Sequence, residues 1–341
     1  MGDLVRVGIV GTGFVARLRA EALGQMPEVR LVAVAGQREA ETQLFGDRYG
    51  AIALPDWQTL VQHPDVDVVM VCHINSGHSE VVRSALEADR HVVVEYPLAL
   101  DADEAQALID LARTQQCLLH VEHIELLGGT HRALKAHLAA VGQPGYARYC
   151  TLSPKHPAPT SWTYSPELFG FPLVGALSRL HRLIDCFGPV ARVYCQNQYG
   201  GFSRGGGDGE DGGEVGKWGS GEYYKTCLCT AQLTFASGLV AEVTYGKGEG
   251  IWQAARQLEV WGDAGALYFD GDEGRLVDDQ GDCPIEVGSR RGLFAADTAQ
   301  VIGHLRTGQP LYCTPEDSLY TLRVAIAAQR SATTGQAVSL V

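Results

Sequence analysis

The run VGIVGTGFVA at residues 7–16 sets Gly11, Gly13 and a small third residue, Ala16, between a β-branched strand and a helical stretch. A pyrophosphate needs that spacing: the first glycine makes the tight turn, the second lets backbone N–H groups approach, and the small third residue lets helix pack on strand. A lone Gly-x-Gly-x-x-Ala is also a common strand–helix connection. Here it closes the first strand of an alternating β/α pattern, which makes Gly11, Gly13, Phe14 and Val15 candidate dinucleotide contacts. At the end of the second strand the turn offers Gly36, Gln37 and Arg38 where a ribose-binding carboxylate would stand. With no acid at that tip to repel a 2′-phosphate and Arg38 placed to pair with one, NADPH is favoured over NADH; the alternative is a solvated Arg38 beside Glu39. After the strand at 66–72, CHINSGH at 72–78 brings His73, Asn75 and His78 to a loop at a strand's carboxyl end, where such loops line the cofactor crevice or cap the next helix.

Two further stretches hold reactive side chains. HVVVEYPLAL at 91–100 delivers Glu95 and Tyr96 to a strand end, and FGFPLVGALSRLHRLID from Phe169 carries Ser178, Arg179, His181 and Arg182. A tyrosine with a reference pKa of ~10 is a poor base near neutrality unless a cation lowers it, so these positions suit charge stabilisation better than hydroxyl deprotonation. In LHVEHIELL at 119–127, His120 and Glu122 share one strand face and His123 takes the other. Zinc is not expected there, since H-x-E-H has a strand's spacing rather than the helical H-E-x-x-H pattern; no metal site is expected elsewhere. Cys227 and Cys229 share a strand face and read as core.

The elements that must position these residues change character along the chain. Up to about residue 123, strands at 5–10, 30–35, 66–72, 91–95 and 118–122 alternate with helices at 15–25, 39–49, 57–62, 79–88 and 102–114, the last opened by Asp101 and Glu104 as a capping box. That is a Rossmann-type parallel sheet over residues 1–123. Strands at 146–152, 190–199, 223–235, 239–245, 257–261 and 266–269, preceded by a helix at 169–187, then predict an α+β domain with a large, mainly antiparallel open sheet over 124–310. The glycine- and acid-rich segment 200–221 is expected to be a flexible loop within it, and helices at 297–305 and 316–333 lead to a helical segment at 311–341.

The whole chain, 341 residues with 45% hydrophobic and 20% charged side chains, suits two globular domains. A formal net charge of −13 argues against a nucleic-acid surface. Apolar runs fall short of the ~20 residues of a membrane span, and nine cysteines without metal-ligand spacing or an export signal suit reduced thiols, so a cytoplasmic monomer or weak homodimer is expected.

The order of these features resembles the glucose-fructose oxidoreductase and inositol dehydrogenase superfamily. In its sugar enzymes the fifth strand ends in Glu-Lys-Pro, and that lysine works with a later Asp and His; here Tyr96 takes the lysine place, and, with Asp185 aligned to the final Asp, Ser178/Arg179 and Arg182 replace the others. VEYPLAL, LHVEHIELL and FGFP followed by SRL resemble the biliverdin reductase branch, as far as about residue 190. That likeness implies hydride delivery from NAD(P)H to the central methine carbon of biliverdin, with protonation of a pyrrole nitrogen, giving bilirubin in heme degradation. It implies Arg179, Tyr96 and Glu95 as catalytic candidates, and Tyr96, Glu122, Arg179 and Arg182 as substrate contacts, with Glu95 and Tyr96 also against the cofactor. Two rivals are a sugar or polyol dehydrogenase using His181 as base, and a non-catalytic regulator that binds NADP or a bilin.

Overall fold

The computed structural model describes residues 4–204 and 221–340. In chain order the elements are β1 (Val5–Val10), α1 (Phe14–Leu23), β2 (Val29–Ala35), α2 (Glu39–Tyr49), β3 (Ile52–Leu54), α3 (Trp57–Val61), β4 (Val68–Val71), α4 (His78–Glu87), β5 (His91–Glu95), α5 (Ala102–Thr114) and β6 (Leu119–Glu122). There follow α6 (Gly129–His137), β7 (Pro144–Pro154), α7 (Pro166–Phe169), α8 (Pro172–Gly175), α9 (Ser178–Phe187), β8 (Val190–Arg204), β9 (Glu222–Phe235), β10 (Val240–Gly248), β11 (Ala255–Gly262), β12 (Gly265–Asp270), β13 (Glu273–Asp278) and β14 (Gly281–Ile285). The chain ends with α10 (Leu293–Thr307), α11 (Pro315–Thr334) and β15 (Val338–Ser339). It divides into two compact units, Met1–Leu127 with Arg291–Leu319, and Gly128–Arg290 with Tyr320–Val341.

The first unit is built on a parallel sheet in the order β3-β2-β1-β4-β5-β6. Its central strands are β-branched on both faces because helices cover both; Val7, Ile9, Val68, Met70 and Val93 are almost wholly buried. Asp101 caps α5 by accepting from the backbone N–H groups of Asp103 and Glu104. The three-residue edge strand β3 escaped the sequence pattern because it is too short to show alternation. The expected boundaries at 123 and 310 also shift. Segment 291–319 belongs to this first unit, because Val301 and Leu305 of α10 join the cluster formed by Ala16, Ala20 and Leu23 of α1. The expected helical segment 311–341 is thereby divided between the units.

The second unit holds a nine-stranded mixed sheet, β14-β13-β12-β11-β7-β10-β9-β8-β15, antiparallel throughout except where β7 meets β10. Cys227 and Cys229 lie in its core. The single helix expected over 169–187 is broken into α7, α8 and α9. Gly170 takes φ +87°, Pro172 starts a new turn, and a Cβ on Gly175 would lie 2.4 Å from the Phe169 ring. The break sets Ser178 and Arg179 at the start of α9. Of the expected loop 200–221, residues 200–204 extend β8, and 205–220 lie outside the described residues.

Candidate active site

The glycine turn has the geometry its spacing predicts. Gly11 sits at φ +117°, and a Cβ there would lie 2.2 Å from the Cys72 carbonyl oxygen, so only glycine fits. Gly13 precedes the first turn of α1, and nothing lies within 4 Å of where its Cβ would be. The first turn carries no acid and no side-chain cap, which leaves its N–H groups to an anion. Ala16 is fully buried, as helix–strand packing requires. Phe14, at the same turn, is 65% exposed, and Val15 beside it is half-buried. A pyrophosphate fits this cradle.

At the tip of β2, Gln37 and Arg38 are exposed, and Arg38 Nη2 meets Glu41 Oε1 at 2.6 Å, a surface pair that a 2′-phosphate would have to compete with. The loop after β4 divides its three candidates. Burial pushes the His73 imidazole down to about 4, with His78 adding to it, so the ring is neutral near pH 7. Asn75 is buried in the short turn that follows. His78 is completely buried, with Nδ1 2.8 Å from the Pro97 carbonyl and Nε2 3.0 Å from that of His73. Through these two carbonyls it ties the β4 loop to the segment after β5.

The end of β5 holds an ion network centred on a residue the motifs did not single out. Arg19 of α1, 1% exposed, donates Nε (3.0 Å) and Nη2 (2.8 Å) to Glu95 Oε1, and Nη1 to Asp297 Oδ2 at 2.8 Å. Asp297 Oδ1 also accepts from His120 Nε2 at 2.8 Å and from the Tyr312 hydroxyl at 2.7 Å. Burial opposes the charge of Arg19, but Glu95 and Asp297 outweigh it and hold its pKa above the ordinary value. Arg19 had a sequence signal: it lies on the apolar stripe of α1 with Ala16, Ala20 and Leu23, where a charge needs a buried partner. Glu95, expected at the chemistry, is therefore engaged by a structural arginine. Glu122 pairs with Glu95 across β5 and β6 and is 1% exposed; burial first, then the neighbouring Glu95, raises its carboxyl well above the usual range. It accepts from the Ile124 N–H, so this expected substrate contact is a buried carboxyl whose charged form is disfavoured. Tyr96 stacks on His123, rings 5.2 Å apart and 8° from parallel, and His123 Nε2 lies 2.9 Å from Ser318 Oγ.

In the second unit the cations gather where α9 meets β10. Arg179 stands in the first turn of α9, where the helix dipole disfavours a cation; its guanidinium lies 5.5 Å from the Tyr245 ring centroid and Nη1 reaches Ser178 Oγ at 2.9 Å. Arg182, one turn on and an expected substrate contact, is 1% exposed and lies over the Tyr149 ring. Asp185 accepts from His131 Nε2 and Lys135 Nζ at 2.9 and 2.8 Å. Beside Arg179 lies Lys247, which the sequence reading left out because it ended this strand at Tyr245. Alternation marks it: Ala241, Val243, Tyr245 and Lys247 share the buried face of β10.

The glycine turn at the head of α1 marks the first unit as a dinucleotide-binding fold. Residues 5–123 match the oxidoreductase family, NAD-binding Rossmann fold (Gfo/Idh/MocA), and residues 141–340 match that family's C-terminal alpha/beta domain. The chain belongs to the Gfo/Idh/MocA oxidoreductase family. The structure of biliverdin reductase from Synechocystis sp. PCC 6803, in complex with biliverdin and NADP+, is similar at a TM-score of 0.88 and 44% identity, over 96% of this chain and 99% of that one. This extends the likeness past residue 190, where the motifs showed only architecture. A dTDP-3,4-didehydro-2,6-dideoxy-alpha-D-glucose 3-reductase of Saccharopolyspora spinosa is 34% identical over 43% of this chain, and biliverdin reductase A of Mus musculus is 35% identical over 43%. These two matches span 44% and 46% of the relatives' own length, less than half.

Proposed function

We propose that the protein reduces biliverdin to bilirubin with NADPH. The whole-chain similarity to the Synechocystis enzyme carries this reading, since the half-length matches point to a sugar reductase and a biliverdin reductase about equally. Tyr96 supports it: a polyol dehydrogenase needs a base for a hydroxyl proton, whereas reduction at a methine carbon abstracts none. His181, the base the polyol reading requires, is buried.

Bound at the Gly11–Val15 turn, NADPH would supply a hydride. The N–H groups of α1 would hold its pyrophosphate, Arg38 would exchange Glu41 for the 2′-phosphate, and Tyr96, held by the His123 stack, would offer its ring to the nicotinamide or the substrate. Arg179 stabilises the negative charge that builds on the pyrrole system as hydride arrives. As proposed, the enzyme acts in the cytoplasm on this small molecule.

Loss of the biliverdin absorbance with growth of a bilirubin band, at one NADPH consumed per biliverdin and set against a panel of sugars and polyols, tests the reading. Oxidation of a polyol with no reaction on biliverdin would assign the sugar chemistry instead, and bilin binding without turnover would make the protein a carrier or regulator.

A further inference from the structure

Lys247 is an unusual place to keep an ammonium group. The side chain is 7% exposed, and its Nζ lies 4.0 Å from the ring centroid of Phe169, 4.8 Å from that of Tyr164, 5.6 Å from that of Tyr224 and 5.7 Å from that of Tyr245. It donates to the Thr163 carbonyl, which also accepts from the Tyr224 hydroxyl at 3.0 Å. Among the described residues no carboxylate comes within ion-pair distance of it. Its charged neighbour is another cation, Arg179, which shares the Tyr245 ring with it. Aromatic faces favour the charged form modestly, whereas burial without a counter-ion and a nearby guanidinium disfavour it. Packing alone would be served by methionine or leucine at lower cost.

We propose that Lys247 is the acid that protonates the pyrrole nitrogen during bilin reduction, with Arg179 supplying fixed charge beside it. The inference rests on the biliverdin reading above. As hydride bonds to the central methine carbon, the carbon–carbon double bond there breaks and its electron pair passes through the conjugated ring to the pyrrole nitrogen. That nitrogen takes a proton from Lys247 Nζ, the N–H bond electrons stay on the amine, and solvent reprotonates it. The sum is biliverdin, NADPH and one proton giving bilirubin and NADP+. Arginine's pKa above 12 suits it poorly to give up a proton, so a division of labour follows: Arg179 stays charged, and Lys247 cycles. Burial pushes the Lys247 ammonium down to about 7, with the Cys227 thiol opposing and Arg179 reinforcing that shift. The groups facing it are Cys227 and Tyr224 from β9, Tyr245 from β10, Tyr164 and Thr163 from the segment before α7, Phe169 from α7, and Arg179 from α9. Burial pushes the Cys227 thiol up to about 12 and the Tyr224 phenol upward too, so both are neutral where Lys247 titrates.

The test uses the full chain with NADPH and biliverdin, comparing wild type, Lys247→Met and Lys247→Arg. For an acid, kcat of wild type falls as pH rises through about 7, and both variants lose on the order of 10²–10³ in kcat with KM little changed and that alkaline limb gone. Lys247→Arg keeps charge and hydrogen bonding, so its failure separates proton donation from packing. Native melting temperature and NADPH binding show that it folds, and a misfolded Lys247→Met leaves it to decide. A kcat within about threefold of wild type for Lys247→Arg, or an unchanged pH profile, would overturn the assignment and leave Lys247 a clamp or packing group. No turnover by wild type would sink the biliverdin reading itself and this inference with it, a distinct outcome visible in the same assay.

Discussion

Arg179 has a local cost: a cation in the first turn of α9 opposes the helix dipole, and the sequence puts no acid in that turn. If its charge meets electron density that develops only as hydride arrives, Arg179→Ala should lower kcat and kcat/KM together, by about 10²–10³. Tyr96→Phe, which keeps the ring stacked on His123, should do less. Steady-state kinetics decides: a normal kcat with a raised KM would make Arg179 a binding residue only. Arg38 makes a different kind of contact. Its present partner is Glu41 on the surface, so the net gain from a 2′-phosphate is a charge-assisted exchange worth about 1.5–3 kcal/mol at most. Arg38→Ala should therefore weaken NADPH by roughly tenfold or more and leave NADH almost untouched. Titration of both cofactors measures this, and equal losses would show that Arg38 does not read the phosphate.

At the scale of elements, the parallel sheet was legible because each strand–helix unit repeats a local pattern: β1, α2, β5 and α5 begin and end where their residue types change. What was not legible depends on partners far along the chain. Glu95 reads as a strand-end acid, yet its role is set by Arg19, 76 residues away, and that of Arg19 by Asp297, 278 away. The helix over 169–187 read as continuous because its apolar positions keep helical spacing, while the crowding of Gly175 by Phe169 is visible only in three dimensions. Lys247 was lost to a strand end placed at Tyr245, three residues short of the end of β10. The β5–β6 pairing also has an energetic consequence. Glu122 has its folded pKa raised above its unfolded value by burial and by Glu95, so its contribution is complete below the unfolded value of ~4.3 and is lost as pH rises toward the folded value. Glu122→Gln, which can still accept from the Ile124 N–H, removes that loss. Its melting temperature relative to wild type should rise by a few degrees between about pH 5 and pH 8. No relative change over that range would mean that Glu122 is already ionised in the folded protein.

For the molecule as a whole, the instructive feature is that the nucleotide unit is discontinuous in sequence. The motifs end it near residue 123, where the family match also ends, but α10 contributes the other half of two interactions that β1–β6 and their helices cannot complete. One is apolar: Val301 and Leu305 close the cluster against Ala16, Ala20 and Leu23. The other is ionic, since Asp297 and Thr298 receive the Arg19 Nη1 group, and His120 and Tyr312 converge on the same carboxylate. Removing one side of a buried ion pair typically costs about 3–5 kcal/mol, because the remaining charge stays desolvated. Uncovering the apolar face of α1 adds to it, against a total stability of only ~5–15 kcal/mol for a domain. A polypeptide of residues 1–127 should therefore fail to fold cooperatively, although it contains the entire dinucleotide motif. Joining residues 291–319 to it through a flexible linker should restore a cooperative thermal transition and NADPH binding, and Asp297→Ala within that fusion should abolish most of the gain. Circular dichroism melts and NADPH fluorescence titration on the three polypeptides measure this. A stable, NADPH-binding 1–127 fragment would show that Arg19 finds water or Glu95 sufficient, and that α10 is an addition to the nucleotide fold rather than part of it.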